Sequence, residues 1–250
     1  FKTIHLNTIY RQKDITFQSL LNRIRQGTQT SEDIRFLNQY VIDESDFFDK
    51  FDMYLYIATT NKKVNEINEI NLSVLDGQAY TYHGIVKGSF DLASKPMLQE
   101  KITLKKDAQA MCIKNGKLGE FQNGTLGRVK ECFSESIIMV TTAGKEIQVP
   151  RDDWKEYNYR YDSTTKELDI EESGSFNQLV AKPASALSVW KTQGQTIDTA
   201  YIDLERWTPE ATVYVALSRL RSIEGLGLKR PITSKDIKVS KESLRFLEVI

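Results

Sequence analysis

The segment Ser188-Val189-Trp190-Lys191-Thr192-Gln193-Gly194-Gln195-Thr196 decides how this chain of 250 residues is interpreted. Later in the chain it is followed by Tyr214-Val215-Ala216-Leu217-Ser218-Arg219. The first segment lines up hydroxyls, an ammonium group, an amide and a bare glycine backbone, a set that suits a loop in contact with phosphate groups. We predict a helix over residues 184–191 with this loop at its end, and a second helix over residues 210–219.

Two side chains in these segments each have two interpretations. The indole of Trp190 offers a plane on which a base can stack, an interaction worth about 1–3 kcal/mol, or it packs in the core. Arg219 falls in the last turn of the second predicted helix. There it either interacts favourably with the helix C-terminus or reaches a phosphate as an arginine finger.

Two polar segments upstream have similar chemistry. Tyr10-Arg11-Gln12 precedes a predicted helix that Asp14 caps and Gly27 ends. Arginine binds phosphate oxygens with a fixed fork of donors, although a plain surface arginine explains the pattern as well. Thr59-Thr60-Asn61 lies between a predicted strand, residues 53–58, and the following helix. A helix N-terminus suits a phosphate group, and an ordinary helix cap is the alternative.

The hydrophobic pattern of the chain changes twice. Between residues 102 and 180 the period is two, and turn signals such as Asn115-Gly116 and Asn123-Gly124 separate the strands. Strands are predicted at residues 108–114, 126–133, 136–142 and 145–149. Beyond Pro183 helices and strands alternate again, with a strand at residues 200–204 and a helix after Ser240. This pattern predicts an α/β domain with a parallel sheet, interrupted by a small antiparallel β-barrel.

Composition restricts the possible partners. Lysine plus arginine and aspartate plus glutamate each number 34, and a neutral chain does not coat nucleic acid electrostatically, although a local groove remains possible. Six lysines crowd one segment, as a solvated face or a nucleic-acid edge: Lys95, Lys101, Lys105, Lys106, Lys114 and Lys117. Cys112 and Cys132 lack metal-site spacing, so we expect free buried thiols and no metal ligands. No apolar run is long enough for a bilayer, so we expect a cytoplasmic protein without a membrane partner.

No Gly-x-x-x-x-Gly-Lys-Ser/Thr phosphate loop occurs in the sequence. The chain therefore cannot cradle a nucleoside triphosphate in the usual way. Its first residue is Phe1 rather than methionine, and we expect a piece of a longer protein.

In their order, these segments resemble the second motor domain of superfamily 1B DNA helicases, the group that holds RecD, Dda and the petite-integration-frequency family. The resemblance covers nearly the whole chain, and residues 188–196 and 214–221 resemble the fifth and sixth helicase motifs. It implies a RecA-like, P-loop-NTPase-type fold with an inserted Src-homology-3-like barrel. Residues 1–100 would be the first part of domain 2A, residues 101–182 the barrel domain 2B, and residues 183–250 the remainder of 2A.

The resemblance also implies a function. The chain would be the C-terminal half of an ATP-dependent helicase that moves 5′ to 3′ along single-stranded DNA in replication, recombination or repair. In bacteria it would be associated with the nucleoid. Its partners would be single-stranded DNA and a missing N-terminal RecA-like domain of the same chain. ATP and Mg²⁺ would be used by the full-length protein, and none would be bound by this fragment alone. The alternative is a nucleic-acid-binding or scaffolding module of a repair or conjugation complex, without its own ATPase.

Individual roles follow from the same resemblance. The catalytic residues would be Arg11 and Arg219, which reach the γ-phosphate. The ATP contacts would be made by Arg11, Gln193, Gly194 and Arg219. The DNA contacts would be made by Thr60, Asn61, Ser188, Trp190, Lys191 and Thr192. The family usually has histidine where this chain has Trp190, which leaves the role of that side chain open.

Four aromatic residues of the insert lie close together: Trp154, Tyr157, Tyr159 and Tyr161. They form either a platform for bases or part of the barrel core and a strand face. The neighbouring residues are rich in aspartate and glutamate, which repel a phosphate backbone. We therefore expect the structural role.

Overall fold

The structure, a computed structural model, describes residues 8–51, 53–95, 98–162, 166–205 and 208–249. Its helices are α1 (Ile15–Gln26), α2 (Ser31–Asn38), α3 (Glu44–Lys50), α4 (Asn61–Val74), α5 (Thr212–Leu217) and α6 (Lys241–Val249). Its strands are β1 (Leu55–Ala58), β2 (Tyr80–His83), β3 (Ile85–Gly88), β4 (Lys101–Leu104), β5 (Gln109–Cys112), β6 (Leu126–Cys132), β7 (Ser136–Thr141), β8 (Glu146–Asp162), β9 (Glu167–Leu179), β10 (Ala181–Pro183), β11 (Ala186–Ser188), β12 (Ala200–Asp203) and β13 (Leu226–Leu228). Short 3-10 turns occur at Val189–Thr192 and Ile223–Gly225.

The chain divides into two compact units. The first combines Phe1–Ile67 with Ser185–Ile250, and the second is Asn68–Ala184. The second unit thus starts before residue 101, where the barrel was expected to begin. The reason is that β2 and β3 form ladders with β4 and β9, which are strands of the same unit. The assignment of the units to domains 2A and 2B stays a prediction.

The first unit contains a four-stranded parallel sheet in the order β11-β1-β12-β13. All residues of β1, β11 and β13 are buried, as is typical of parallel strands covered on both faces. The predicted α/β class with a parallel sheet is therefore confirmed. The predicted strands at residues 53–58 and 200–204 correspond to β1 and β12.

Helix α1 forms where the sequence places it. The side chain of Asp14 accepts a hydrogen bond from the Thr16 amide, and Gly27 ends the helix with a φ of 70°. Glycine adopts this left-handed conformation without a Cβ penalty. The apolar stripe of the helix is buried: Phe17, Leu20, Leu21 and Ile24. The caps and the apolar spacing in the sequence were sufficient to predict α1 correctly.

The helix predicted over residues 184–191 is wrong. Ala186–Ser188 form strand β11, which pairs in parallel with β1, and the 3-10 turn Val189–Thr192 follows. A short apolar run is compatible with either a buried strand or a buried helix, and periodicity alone does not separate them. The segment that opened the sequence analysis therefore follows a strand of the parallel sheet and not a helix.

The second unit is built from antiparallel strands, as predicted. Seven strands form a sheet in the order β10-β5-β6-β7-β8-β9-β3, and β2 pairs with β4. Both sheets contribute to one core, in which Ile102, Leu104, Val129 and Ile137 are buried. The four strands expected between residues 108 and 149 correspond to β5, β6, β7 and the start of β8, although β8 continues to Asp162.

Cys112 and Cys132 are free and buried in the second unit, as expected. Burial raises the pKa of the Cys112 thiol to about 12. A thiol with such a pKa stays protonated near neutral pH and is a poor nucleophile. Both cysteines therefore behave as small apolar core residues.

Strands β8 and β9 continue past the rest of their sheet as an outer ribbon, residues 157–162 and 167–172, whose described ladder joins only these two segments. One face of the ribbon carries large apolar side chains that are at least 43% exposed: Tyr157, Tyr159, Tyr161, Leu168 and Ile170. Trp154, before the ribbon, packs against Phe176 with ring centroids 6.3 Å apart. Trp154 thus has the expected core role, whereas the three tyrosines lie on a strand face in solvent.

The lysine-rich segment has acidic partners within the second unit. Lys114 and Lys117 both form salt bridges with Asp152, and Lys95 forms one with Glu156. These three ammonium groups are partly neutralised by the protein itself, which favours the solvated face over a nucleic-acid edge.

Within the described ranges, no helix has the length and apolar character required to cross a membrane.

Candidate functional site

The carboxyl ends of the parallel strands bring several polar segments to one edge of the first unit's sheet. Ser188 ends β11, Ala58 ends β1, and Asp203 ends β12. Because these strands are parallel, the residues that follow them meet at this edge, which is where open α/β sheets bind ligands. The predicted segments Thr59-Thr60-Asn61 and Val189–Thr192 are therefore neighbours in space.

Thr60 and Asn61 are exposed at this carboxyl edge. The Thr60 hydroxyl accepts a hydrogen bond from the Lys63 amide at 3.4 Å, which is the capping contact of α4. It also donates one to Glu205 Oε1 at 3.1 Å. Thr60 acts as a helix cap in this structure, and both of its contacts are exposed to solvent.

The residues of the 3-10 turn differ in accessibility. Ser188 and Thr192 are buried, and the Thr192 hydroxyl donates to the Val189 carbonyl oxygen at 2.6 Å. Trp190 is 42% exposed and Lys191 is partly exposed. Trp190 is therefore not a core residue. The Thr192 hydroxyl stabilises the turn from inside, Ser188 is buried at its start, and Trp190 and Lys191 are accessible at its surface.

Arg11 and Arg219 lie at the opposite, amino-terminal end of the sheet. Ile197 lies three residues before β12 begins. Its amide donates to the Arg219 carbonyl oxygen, and its carbonyl oxygen accepts from the Arg221 amide. The Arg11 side chain donates from Nε to Thr196 Oγ1 and from Nη1 to the Ser218 carbonyl oxygen, both at 3.1 Å.

Arg219 contacts the same serine, but through its hydroxyl group. Its Nη2 donates to Ser218 Oγ at 2.8 Å, and its Nε donates to the Val215 carbonyl oxygen at 3.1 Å. The two guanidinium groups thus converge on Ser218, although they are about two hundred residues apart in sequence.

The electrostatic setting of these arginines favours an anion. Burial lowers the pKa of Arg219, and the positive charge of Arg11 lowers it further. The hydrogen bonds described for both guanidiniums go to neutral carbonyl and hydroxyl oxygens. Two cations held together without a carboxylate contact among these bonds create a local positive potential, and guanidinium forks match phosphate oxygens.

The segment from Ser188 to Thr196 joins the two ends of the sheet. It leaves β11 at the carboxyl edge and reaches Arg11 through the Thr196 hydroxyl. Gly194 has a φ of 82°, and a Cβ built there would meet no atom within 4 Å. Glycine is required by the backbone conformation rather than by crowding. Gln193 and Gly194 are exposed in the middle of this connection.

Several residues of the site were missed by sequence reasoning. Gln12 is buried beside Arg11 and binds the segment that carries Arg219. The Tyr56 hydroxyl donates to Asp203 Oδ2 at 2.6 Å, and Lys229 Nζ lies 2.6 Å from the same oxygen. This second cluster ties together the carboxyl ends of β1, β12 and β13. Only the position of Gln12 next to Arg11 offered a sequence signal.

Among the described residues, no group of three or more histidine, cysteine, aspartate or glutamate side chains is arranged to hold a metal ion. The two arginines fit a phosphate-bearing substrate.

The parallel sheet with its antiparallel insert, the paired arginines at one end and the polar turn at the other agree with the second motor domain of a helicase. Comparisons with known proteins name the relatives. The chain is 28% identical over 232 residues to the ATP-dependent DNA helicase Pif1 of Bdellovibrio bacteriovorus, covering 91% of this chain and 50% of that protein. It is 30% identical over 245 residues to PIF1 of Xenopus laevis, covering 90% and 34%.

The solved structures that this chain resembles are also Pif1 helicases. Bacteroides Pif1 in complex with ADP-AlF4 matches with a TM-score of 0.84 and 28% identity, over 97% of this chain and 55% of that one. Bacteroides Pif1 bound to single-stranded DNA matches with a TM-score of 0.73 and the same identity, over 97% and 55%. No protein-family profile matches the chain.

The homologues of this chain are therefore Pif1-family helicases, in agreement with the predicted resemblance and with a C-terminal motor domain. The chain spans about half the length of the first of these relatives.

Proposed function

We propose that this chain is the C-terminal half of an ATP-dependent helicase that translocates along single-stranded DNA. The observation that carries the proposal is the convergence of Arg11 and Arg219 on Ser218, at one end of a sheet whose other end presents Trp190 and Lys191. One polypeptide segment connects these two ends, as a motor that couples nucleotide chemistry to movement requires.

On the nucleotide side, Arg11 and Arg219 bind the γ-phosphate of ATP, and Gln193 and Gly194 approach it from the exposed connection. An arginine that stabilises charge on the transferred phosphoryl oxygens contributes about 10³–10⁵ in rate. The phosphate loop and the residues that hold Mg²⁺ come from another RecA-like domain of the complete protein.

On the DNA side, the proposed contacts are those that the structure leaves accessible. Thr60, Asn61 and Lys191 bind the phosphate backbone, and Trp190 stacks on a base, so the grip is independent of sequence. Ser188 and Thr192 were also predicted to touch DNA, and both are buried in this structure. Their contact with DNA stays a prediction. The support from relatives is that Bacteroides Pif1 has been solved with single-stranded DNA.

Movement follows from the arrangement of the two ends. Binding and hydrolysis of ATP change the contact between two motor domains, and the connection at residues 188–196 transmits that change to the DNA grip. The 5′ to 3′ direction, association with the nucleoid in a bacterium, and use in replication, recombination or repair are part of the proposal through the family resemblance.

The test uses two kinds of variant in the complete helicase. Arg219→Ala lowers the rate of ATP turnover by about 10³-fold or more and changes the dissociation constant for single-stranded DNA little. Lys191→Ala weakens DNA binding and makes the salt dependence of the binding constant shallower by about 0.7 in a double-logarithmic plot. Turnover is measured by phosphate release and DNA binding by fluorescence anisotropy.

The matched control is Arg221→Ala. Arg221 is an exposed arginine two positions from Arg219, and its guanidinium lies 2.6 Å from the Asp198 carboxylate. Its removal leaves both readouts near those of the unaltered protein. The proposal fails if turnover survives in Arg219→Ala while DNA binding collapses. A scaffolding or binding module without ATPase activity is indicated if the complete protein binds DNA but shows no turnover to lose.

A further inference from the structure

We propose that Gln12 is a positioning residue that fixes the separation and direction of the Arg11 and Arg219 guanidiniums. The inference rests on the proposed function, because it assigns a role within the same nucleotide site. Gln12 would touch neither nucleotide nor DNA.

The geometry begins with one amide group. Gln12 Nε2 donates to the carbonyl oxygen of Ser218 at 3.0 Å and to that of Leu220 at 2.7 Å. These two residues flank Arg219 in sequence. A single side chain therefore holds the backbone on both sides of the second arginine.

The first arginine is held by the same atoms. Arg11 is the chain neighbour of Gln12, and its Nη1 donates to the Ser218 carbonyl oxygen that also accepts from Gln12. One carbonyl oxygen is thus shared by both side chains. Movement of residues 218–220 relative to Gln12 would change the position of both guanidiniums together.

Gln12 is anchored on its other side as well. Its own carbonyl oxygen accepts a hydrogen bond at 2.6 Å from the side chain of Gln18, which lies in α1. Only 4% of the Gln12 surface is exposed. Gln12 is therefore tied to α1 through its backbone carbonyl and to the segment that follows α5 through its side-chain amide, and water does not compete freely for these hydrogen bonds.

The two arginines need such positioning because both are positively charged. Arg11 and Arg219 repel each other, and this repulsion contributes to the lowered pKa of Arg219. Without an anion between them, neutral hydrogen bonds must set the distance between the two side chains. A misplacement of about 1 Å can cost about 10²-fold in rate, so a residue that sets this distance affects turnover without touching the substrate.

The experiment is performed on the complete helicase with Gln12→Met. Methionine keeps the length and much of the volume of the side chain but donates no hydrogen bond. The maximal ATP turnover falls by about 10- to 100-fold, while KM for ATP and the dissociation constant for single-stranded DNA change by less than about threefold. The affinity for ADP with aluminium fluoride falls in proportion to turnover, and the affinity for ADP alone does not.

Two further variants separate positioning from general destabilisation. Leu37→Ala removes a fully buried side chain in the same unit and lowers Tm without changing turnover at temperatures where the protein stays folded. Gln12→Asn keeps an amide but is one methylene shorter, so it reaches only one of the two carbonyls. In Gln12→Asn turnover falls less than in Gln12→Met, again with KM for ATP and DNA affinity nearly unchanged. This variant serves as the test if Gln12→Met does not fold.

The outcomes distinguish this inference from the proposed function. If Arg219→Ala is inactive and both folded Gln12 variants keep normal turnover, the positioning role is wrong and the proposed function stands. If turnover falls in the Gln12 variants only together with Tm, ADP affinity and DNA affinity, Gln12 is merely structural and the inference is also wrong. If Arg219→Ala retains full turnover, the proposed function itself fails, and the positioning role fails with it.

Discussion

Asp33 accepts hydrogen bonds from Arg23 Nε and Nη2 at 2.8 and 2.6 Å, and another from the Thr30 amide at 2.8 Å. The Arg23 guanidinium holds the pKa of this carboxyl at about 2. Asp236 is similar. Burial raises its pKa more than any single partner lowers it, but hydrogen bonds from Arg230 and Thr233 together hold the value at about 2. Both carboxylates stabilise the fold in their ionised form.

Their protonation predicts how stability depends on pH. The ordinary pKa is 3.8, so near pH 7 both carboxylates are ionised in the folded and unfolded states and their contribution is complete. As the pH falls from about 4 to about 2, the unfolded chain binds protons first and the free energy of unfolding falls. The double variant Asp33→Asn/Asp236→Asn is less stable at pH 7 and loses less stability over this interval.

Urea unfolding followed by circular dichroism at several pH values measures the effect. Asp198→Asn is the control, because Asp198 and its partner Arg221 are both more than half exposed. An identical loss of stability in the double variant and the unaltered protein between pH 4 and pH 2 would contradict the assignment.

The side chains of the site differ in how much the sequence alone says about them. Arg11 and Arg219 were selected because arginine has one dominant chemistry with phosphates, and this holds without knowledge of the fold. Gln12 and Ser218 were not selected. Their roles depend on which backbone carbonyls come within reach, and that is decided by the packing of α1 against α5.

At the scale of elements, the local patterns succeeded where caps and periodicity agreed. Helix α1 had both an Asp14 cap and a Gly27 stop. Strand β11 had neither an alternation nor a local turn signal, and its pairing partner β1 lies at the other end of the insert. A strand defined by distant partners cannot be separated from a helix by its own residues.

The outer ribbon of β8 and β9 predicts a gradient of backbone protection. Residues 174–177 of β9 are flanked by β8 and β3, whereas the described pairing of residues 168–171 is with β8. Two isolated strands are marginally stable in water, so amides at residues 168–171 exchange faster with solvent. Hydrogen exchange read by mass spectrometry compares the two segments within the same strand, each serving as the reference for the other. Equal protection would show that the ribbon is held by contacts beyond this ladder.

At the scale of the whole molecule, the site is incomplete. The proposed role of the arginines is to stabilise transfer of a phosphoryl group, and the sequence of this chain contains no phosphate loop to bind the rest of the nucleotide. We expect the purified 250-residue chain to release phosphate from ATP only at the background rate, with or without single-stranded DNA. The complete helicase in the same assay is the positive control. Turnover that rises in proportion to the concentration of this chain, and is lost in Arg219→Ala, would overturn the expectation.

The division of the first unit into two chain segments has a consequence for synthesis. Strand β1 pairs on one side with β11 and on the other with β12, and the whole of Asn68–Ala184 is made between β1 and these partners. Closing so long a loop costs little more at equilibrium than closing a shorter one, because the entropic cost grows only with the logarithm of loop length. During translation, however, both edges of β1 stay unpaired while the insert is produced. Its residues, all buried in the native sheet, are then open to aggregation or to chaperones.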